Sequence, residues 1–231
     1  MPLHFDYDSM AGANEVFKDR ETGSRWQQAS AAAISGPLEG AHLALYPFIR
    51  TIWSEWRRRH PDTLVLKPVP GYAELMPAMN KLIDQTRLGA GPAPRGAPQT
   101  DDRLRPRETV AGLEIRDEAK AYSVAALREV RVINDQLGGT PVLIVHQPGS
   151  DTTTAFDARR KGRRLRFRPA NEEASQLVDL ETKSAWNAYG LCVSGPLKGW
   201  QLKPLILVPE FWFAWSEFHP KTTVYSNRGV Q

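Results

Sequence analysis

Side chains able to do chemistry are few in these 231 residues: five histidines, one cysteine and a handful of carboxylates with suggestive neighbours. His146 ends the apolar run "PVLIVH" and stands directly before "QPGSD". A histidine there could serve as a general base, with Asp135 orienting it and Ser150 in the same cleft. Asn134 and Gln147 would be ligand contacts beside them. The plainer reading competes at every position. A lone histidine at a strand end is more often structural, and Asn134-Asp135 before a turn is explained by turn hydrogen bonds. Nothing in the sequence brings His146 and Asp135 together, so His146, Asp135 and Ser150 stand as catalytic candidates only.

Two further features could bind. "ARRKGRRLRFR" reads as a hairpin turning at "RKGR", with Arg164, Arg166 and Arg168 alternating with Leu165 and Phe167. Arginines sharing one strand face could meet phosphates. A solvated hairpin face is the commoner meaning, because no nucleic-acid fold signature accompanies the stripe. Of the seven tryptophans, Trp200 is the one expected at the surface. Trp53/Trp56 and Trp212/Trp215, three apart on short helices, are expected in the core. Cys192 lies between apolar neighbours and reads as a buried, inert thiol. A single cysteine excludes an internal disulfide and a cysteine-clustered metal site, and no histidine pair has ligand spacing, so neither metal nor cofactor is expected. There is no P-loop and no Gly-x-Ser-x-Gly.

The elements that would hold these residues are written twice. "DRETGSRW" (19–26) and "DLETKSAW" (179–186) agree at five of eight positions, and 35–66 against 194–225 at 12 of 32. Six of the seven tryptophans fall into three equivalent pairs: Trp26/Trp186, Trp53/Trp212 and Trp56/Trp215. Each copy predicts a hairpin through "NEVFKD" or "SQLVDL", then a break at Ser-Gly-Pro-Leu-x-Gly. A strand in "HLALYPF" or "QLKPLILV" follows, then a helix stopped at His-Pro, and a last strand in "TLVL" or "TTVY". His60 and His219 recur at the helix ends and read as packing or capping residues. Upstream of the second copy runs a long β-rich stretch, "VAGLEI", "KAYSVAAL", "RVINDQL", "GGTPVLIVHQP" and "TTTAFDA". The first copy has only "LHF", echoing "LRF".

The expected architecture is α+β, predominantly β, a tandem duplication whose first copy lacks its N-terminal half. Its units are a truncated copy in 1–70, a helix (72–85, broken at Pro77) with a Pro/Gly-rich linker in 71–109, and a complete copy in 110–231.

The ordered series "GLEIRDEAKAYSVAAL…VINDQLGGTPVLIV…TTAFD…GRRLRF…DLETKSAW…SGPLKG…FHPKTTVY" resembles the bacterial and archaeal domain-of-unknown-function family DUF3179. The resemblance implies no activity. It does imply that many relatives carry a Cys-Pro-x-Cys-like motif after the strand that here reads "PVLIVH". Those positions here are Gln147, Pro148, Gly149 and Ser150, and neither Gln nor Ser is a thiolate ligand or redox partner.

With 41% apolar and 24% charged residues the chain is ordinary globular material, and a net charge of +4 permits an acidic partner without requiring one. No membrane span or signal peptide is visible, which makes a cytoplasmic address the default. The leading expectation is a non-catalytic binding or interaction module that self-associates to cover the open sheet edge of its first copy. The alternative is an enzyme or a ligand- or metal-binding protein with a cleft near His146 and Asp135. A nucleic-acid binder led by Arg164 and Arg166 comes third.

Overall fold

Polar-apolar alternation sets the chain into strands, and the tight "ETGS" and "ETKS" turns fix their register. The computed structural model describes residues 2–67, 76–77, 80–81, 93–97 and 101–226. At the N-terminus, β1 (Phe5–Ala11), β2 (Asn14–Asp19), β3 (Arg25–Gln27) and β4 (Ala32–Ser35) form an antiparallel sheet in sequence order. An extended segment then leads to helix α1 (Trp53–Arg59).

The second half opens with the hairpin β5 (Thr109–Ile115) and β6 (Glu118–Ser123), followed by α2 (Val124–Val130). Next come β7 (Val132–Leu137), β8 (Thr140–Gln147) and β9 (Thr152–Asp157), a meander. A two-residue turn joins β10 (Arg159–Arg160) to β11 (Arg163–Arg164). The strands β12 (Phe167–Pro169), β13 (Gln176–Asp179), β14 (Ala185–Asn187) and β15 (Cys192–Ser194) make a second antiparallel sheet in sequence order. The chain closes with β16 (Lys203–Pro204), β17 (Leu207–Phe211), α3 (Trp212–Phe218) and β18 (Thr223–Val224). β16 borders β9, while β17 and β18 flank the β5–β6 hairpin in the order β17-β5-β6-β18.

The layers explain the sequence of β8. Its Leu143 and Val145 pack toward Phe167, Leu177 and Trp186 of the β12–β15 sheet. Val142 and Ile144 point the other way, into Leu113, Tyr122 and Leu127. A strand covered on both faces reads as an unbroken apolar run rather than an alternation. On the outer side of the hairpin, Trp212 and Trp215 of α3 close over Val110 and Ala121.

The two sheets made in sequence order share their internal bonds. Trp26 donates its indole N–H to Asp19 at 2.8 Å, and Trp186 to Asp179 at 2.9 Å. Phe5 meets Trp26 edge-on at 5.9 Å, as Phe167 meets Trp186 at 5.6 Å. The Ser-Gly-Pro-Leu-x-Gly phrase is the same turn both times, with Ser24 and Ser184 accepting from the backbone N–H of Leu38 and Leu197. Gly36 and Gly195 have φ of +99° and +92°, and a Cβ on either would come within 2.8 Å of a serine Cα. That is why glycine stands there.

Several expectations differ from the structure. "HLALYPF" and "TLVL" in the first half are not strands; one isolated bridge, Ala32 to His42, is the only pairing there among the described residues. At the corresponding places the second half has β16, paired with β9, and β18, paired with β6. "VAAL" within "KAYSVAAL" is helical, being the start of α2, with Ser123 as its N-cap. The expected helix 72–85 and the linker after it fall largely outside the described residues. The segment 101–108 is packed, not free: Trp212 donates to the Asp101 carbonyl and Arg103 to that of Thr222.

Candidate functional site

His146 reaches the end of β8 through a fully apolar strand, which leaves it buried. Its Nδ1 lies 2.9 Å from the Thr153 hydroxyl. Nε2 has no hydrogen-bond partner among the described residues and sits 3.9 Å from Asp151 Oδ1. Asp151 is itself held by Arg128 at 2.9 Å. Burial pushes the imidazole below its ordinary pKa, Asp151 opposes this, and Arg128 and Arg131 add to the depression. The ring is therefore neutral at physiological pH.

After β8 the chain makes a 3-10 turn over Pro148–Ser150, and Asp151 takes a left-handed conformation. Ser150 donates to Thr152, and Thr152 to Thr51 of the first half, each at 2.8 Å. A cleft of about 400 Å³ opens here between the halves, lined among others by Arg50, Thr51, Trp53, Arg128, Ser150 and Asp151. Gln147 faces a neighbouring recess with Arg58, Arg59, Glu173 and Tyr189, and its buried Oε1 has no partner among the described residues.

These residues do not assemble as a base, orienter and nucleophile. His146 bonds Thr153, and Ser150 bonds Thr152. Asp135 pairs with Val142 in the β7–β8 ladder, which puts it about four residues, or ~13 Å, along β8 from His146. Its carboxylate instead takes Lys120 at 2.9 Å and the Tyr122 hydroxyl at 2.8 Å. Burial would raise its pKa, but Lys120, the Gln136 N–H and Tyr122 outweigh that and hold it below the ordinary carboxylate range. Asn134 lies within β7 rather than at a turn. Its side-chain amide clamps the backbone of Phe167, donating at 2.8 Å and accepting at 2.7 Å, and so ties β7 to β12.

The arginine stripe is divided. Leu165 and Phe167 are buried and the intervening arginines exposed, as alternation requires, but the chain leaves β11 at Arg164 and enters β12 at Phe167. Arg166 is bonded to Glu181 at 3.0 Å. Trp200 is partly exposed with the Arg160 guanidinium 5.2 Å from its ring, a cation–π pair. Cys192 is buried, and burial pushes its thiol upward. Among the described residues no cluster of three His, Cys, Asp or Glu could hold a metal, and no helix is long and apolar enough to cross a membrane.

The feature that residue-by-residue reading missed is the face around α1. Trp53 and Trp56 are 51% and 38% exposed, whereas Trp212 and Trp215 are 0% and 2% exposed. The local geometry is nevertheless the same. Ile52 and Phe211 begin the two helices with φ, ψ of −76°, 154° and −79°, 148°, and His60 and His219 end them alike. Trp56 donates to Thr63 at 3.1 Å and Trp215 to Thr222 at 2.9 Å. His60 lies 4.2 Å from the Trp56 ring and His219 3.7 Å from that of Trp215. Beyond α1 the residues Leu64, Val65 and Leu66 are 98%, 66% and 95% exposed. In the second half the β5–β6 hairpin is what buries the corresponding side chains.

No curated protein and no solved structure matches the chain. A family model does, over residues 7–222, a span that takes in nearly all of both sheets of the Asp-Trp type, both helices of the Trp-x-x-Trp type and the His146 turn. The chain belongs to that family, described as a protein of unknown function, DUF3179.

Proposed function

We propose that this protein is a non-catalytic interaction module built from one β-rich unit written twice. The first unit occupies 1–70 and lacks the strands that precede the Asp-Trp sheet in the second. The stretch 71–109 joins the two, and 110–231 is the complete unit. Paired identities at offsets of 160 and then 159, the shared Asp-Trp and Trp-Thr bonds, and the twin Ser-Gly-Pro-Leu-x-Gly turns support this reading. The observation that carries it is the contrast between Trp53/Trp56 and Trp212/Trp215: equal conformation, opposite exposure. An apolar face of this kind, kept in its docked geometry and uncovered, marks a place where another surface belongs.

With nothing else present, the face meets copies of itself. Light scattering across a micromolar dilution series of the wild-type chain is expected to show mass rising with concentration. Leu64→Asp combined with Leu66→Asp should leave a monomer that melts like the wild type diluted to monomer, because both side chains stand in water in the single chain. A wild type that stays monomeric throughout the series would sink the reading.

A ligand site at the His146 turn is the second reading. It is favoured by one observation, the buried His146 Nε2, without a hydrogen-bond partner among the described residues, behind the cleft that Ser150 and Asp151 line. It ranks lower because Asp135, Ser150 and Asn134 are each engaged elsewhere.

A further inference from the structure

We propose that the occupant of the open face is a β-hairpin of another polypeptide, inserted between Phe48–Ile52 and Leu64–Val65 with a glycine under Trp56. This rests on the interaction reading above and names the partner. The second half supplies the template. There the β5–β6 hairpin lies between β17 and β18, antiparallel to the one and parallel to the other. At the offset of 159, Phe48–Ile52 stands where β17 stands and Leu64–Val65 where β18 stands.

Side chains follow the same correspondence. In the second half Trp212, Trp215, Val208 and Val224 close over Val110 and Ala121. Their equivalents Trp53, Trp56, Ile49 and Val65 are present in the first half, and among the described residues no buried counterpart of Val110 or Ala121 lies beneath them. The hairpin's other face would then meet Phe48 and Leu66, which stand in the places of Leu207 and Tyr225.

Glycine is required by contact. Gly112 pairs with Val208 and lies beneath Trp215, and a Cβ there would stand 2.2 Å from Cζ3 of that ring. Since Trp56 is held by the same cap and the same Trp-Thr bond, the partner needs an equally bare residue under it. Because α1 is already in place, docking costs little reorganisation. Strand addition at two edges gives the occupant main-chain hydrogen bonds as well as burial.

A second copy of this chain does not meet the requirement with its own hairpin. That hairpin is held on both edges by β17 and β18, and giving it away would empty one seat to fill another. Self-association is therefore what the face does in the absence of its partner.

The probe is a synthetic peptide of residues 107–124, which spans the native hairpin, added to the intact chain while tryptophan emission and sedimentation are followed. A blue shift saturating at one peptide per chain is expected, with self-associated material converted to a one-to-one complex. Gly112→Val in the peptide should weaken binding about ten-fold or more, and the Leu64→Asp, Leu66→Asp chain should not respond. Binding indifferent to either change would overturn the proposal. If those two substitutions abolish self-association but the peptide does not bind, the hairpin assignment fails and the interaction reading stands. If the substitutions alter neither, both fail.

Discussion

Burial pushes the Glu210 carboxyl, in β17, up to about 7 from its ordinary 4.5. It shares its cleft with Glu15, Arg50 and Arg107. Between those two pH values the folded chain keeps a proton that the unfolded chain has released. The stability Glu210 contributes is thus full below the unfolded value and is lost as pH rises through the folded one. The loss amounts to at most about 3 kcal/mol. Urea unfolding from about pH 5 to about pH 8 should show the wild type weakening, and Glu210→Gln should flatten the trend; parallel curves would refute the assignment. Glu210 could not be picked out in the sequence, because the residue aligned with it in the first half is Thr51 and its burial comes from pairing with distant β5. Asp179 and Trp186 were legible for the opposite reason. They recur as Asp19 and Trp26 at the same spacing, and the bond between them is made inside one hairpin.

At the scale of elements, the two Trp-x-x-Trp helices separate local propensity from tertiary burial. Both form in the same place and end at the same His-Pro, so helix existence was written locally. Burial was not, and assigning both tryptophan pairs to the core erred for the first pair. Only α3 has the β5–β6 hairpin beneath it. The energetic consequence is asymmetric. Trp215→Ala removes a fully buried ring bonded to Thr222, and should cost about 3–5 kcal/mol. Trp56→Ala removes a ring already partly in water, and should cost about 1 kcal/mol or less. Chemical denaturation of both variants at a concentration that keeps the chain monomeric checks this; equal losses would mean that Trp56 is covered in solution. The same distinction explains "HLALYPF" and "TLVL". Their composition suits strands, but a strand also needs a neighbour, and among the described residues neither segment has one beyond the Ala32–His42 bridge.

For the whole molecule the division of the core is decisive. All three clusters of buried apolar residues, with the side chains packed on them, come from residues 104–225. The first half contributes Val16, Trp26 and Ala33 as its buried apolar side chains among the described residues. Polar contacts tie it to the second half, among them Asn14 donating to Glu217 at 3.4 Å. Thr51 meets Thr152, Glu55 meets the Tyr189 hydroxyl at 3.0 Å, and the Arg59 guanidinium lies 3.5 Å above the Tyr189 ring. A sheet with so small an interior cannot offset the ordering of its strands unaided. The second half meets that requirement within itself, since every strand of its central layer is covered by its own residues. A chain cut to residues 101–226 should therefore retain a cooperative melt, followed by far-ultraviolet circular dichroism. A chain cut to residues 1–67 should show a gradual, featureless one. A sharp transition in the shorter piece would mean that its apolar face closes on itself, leaving no seat for a partner hairpin.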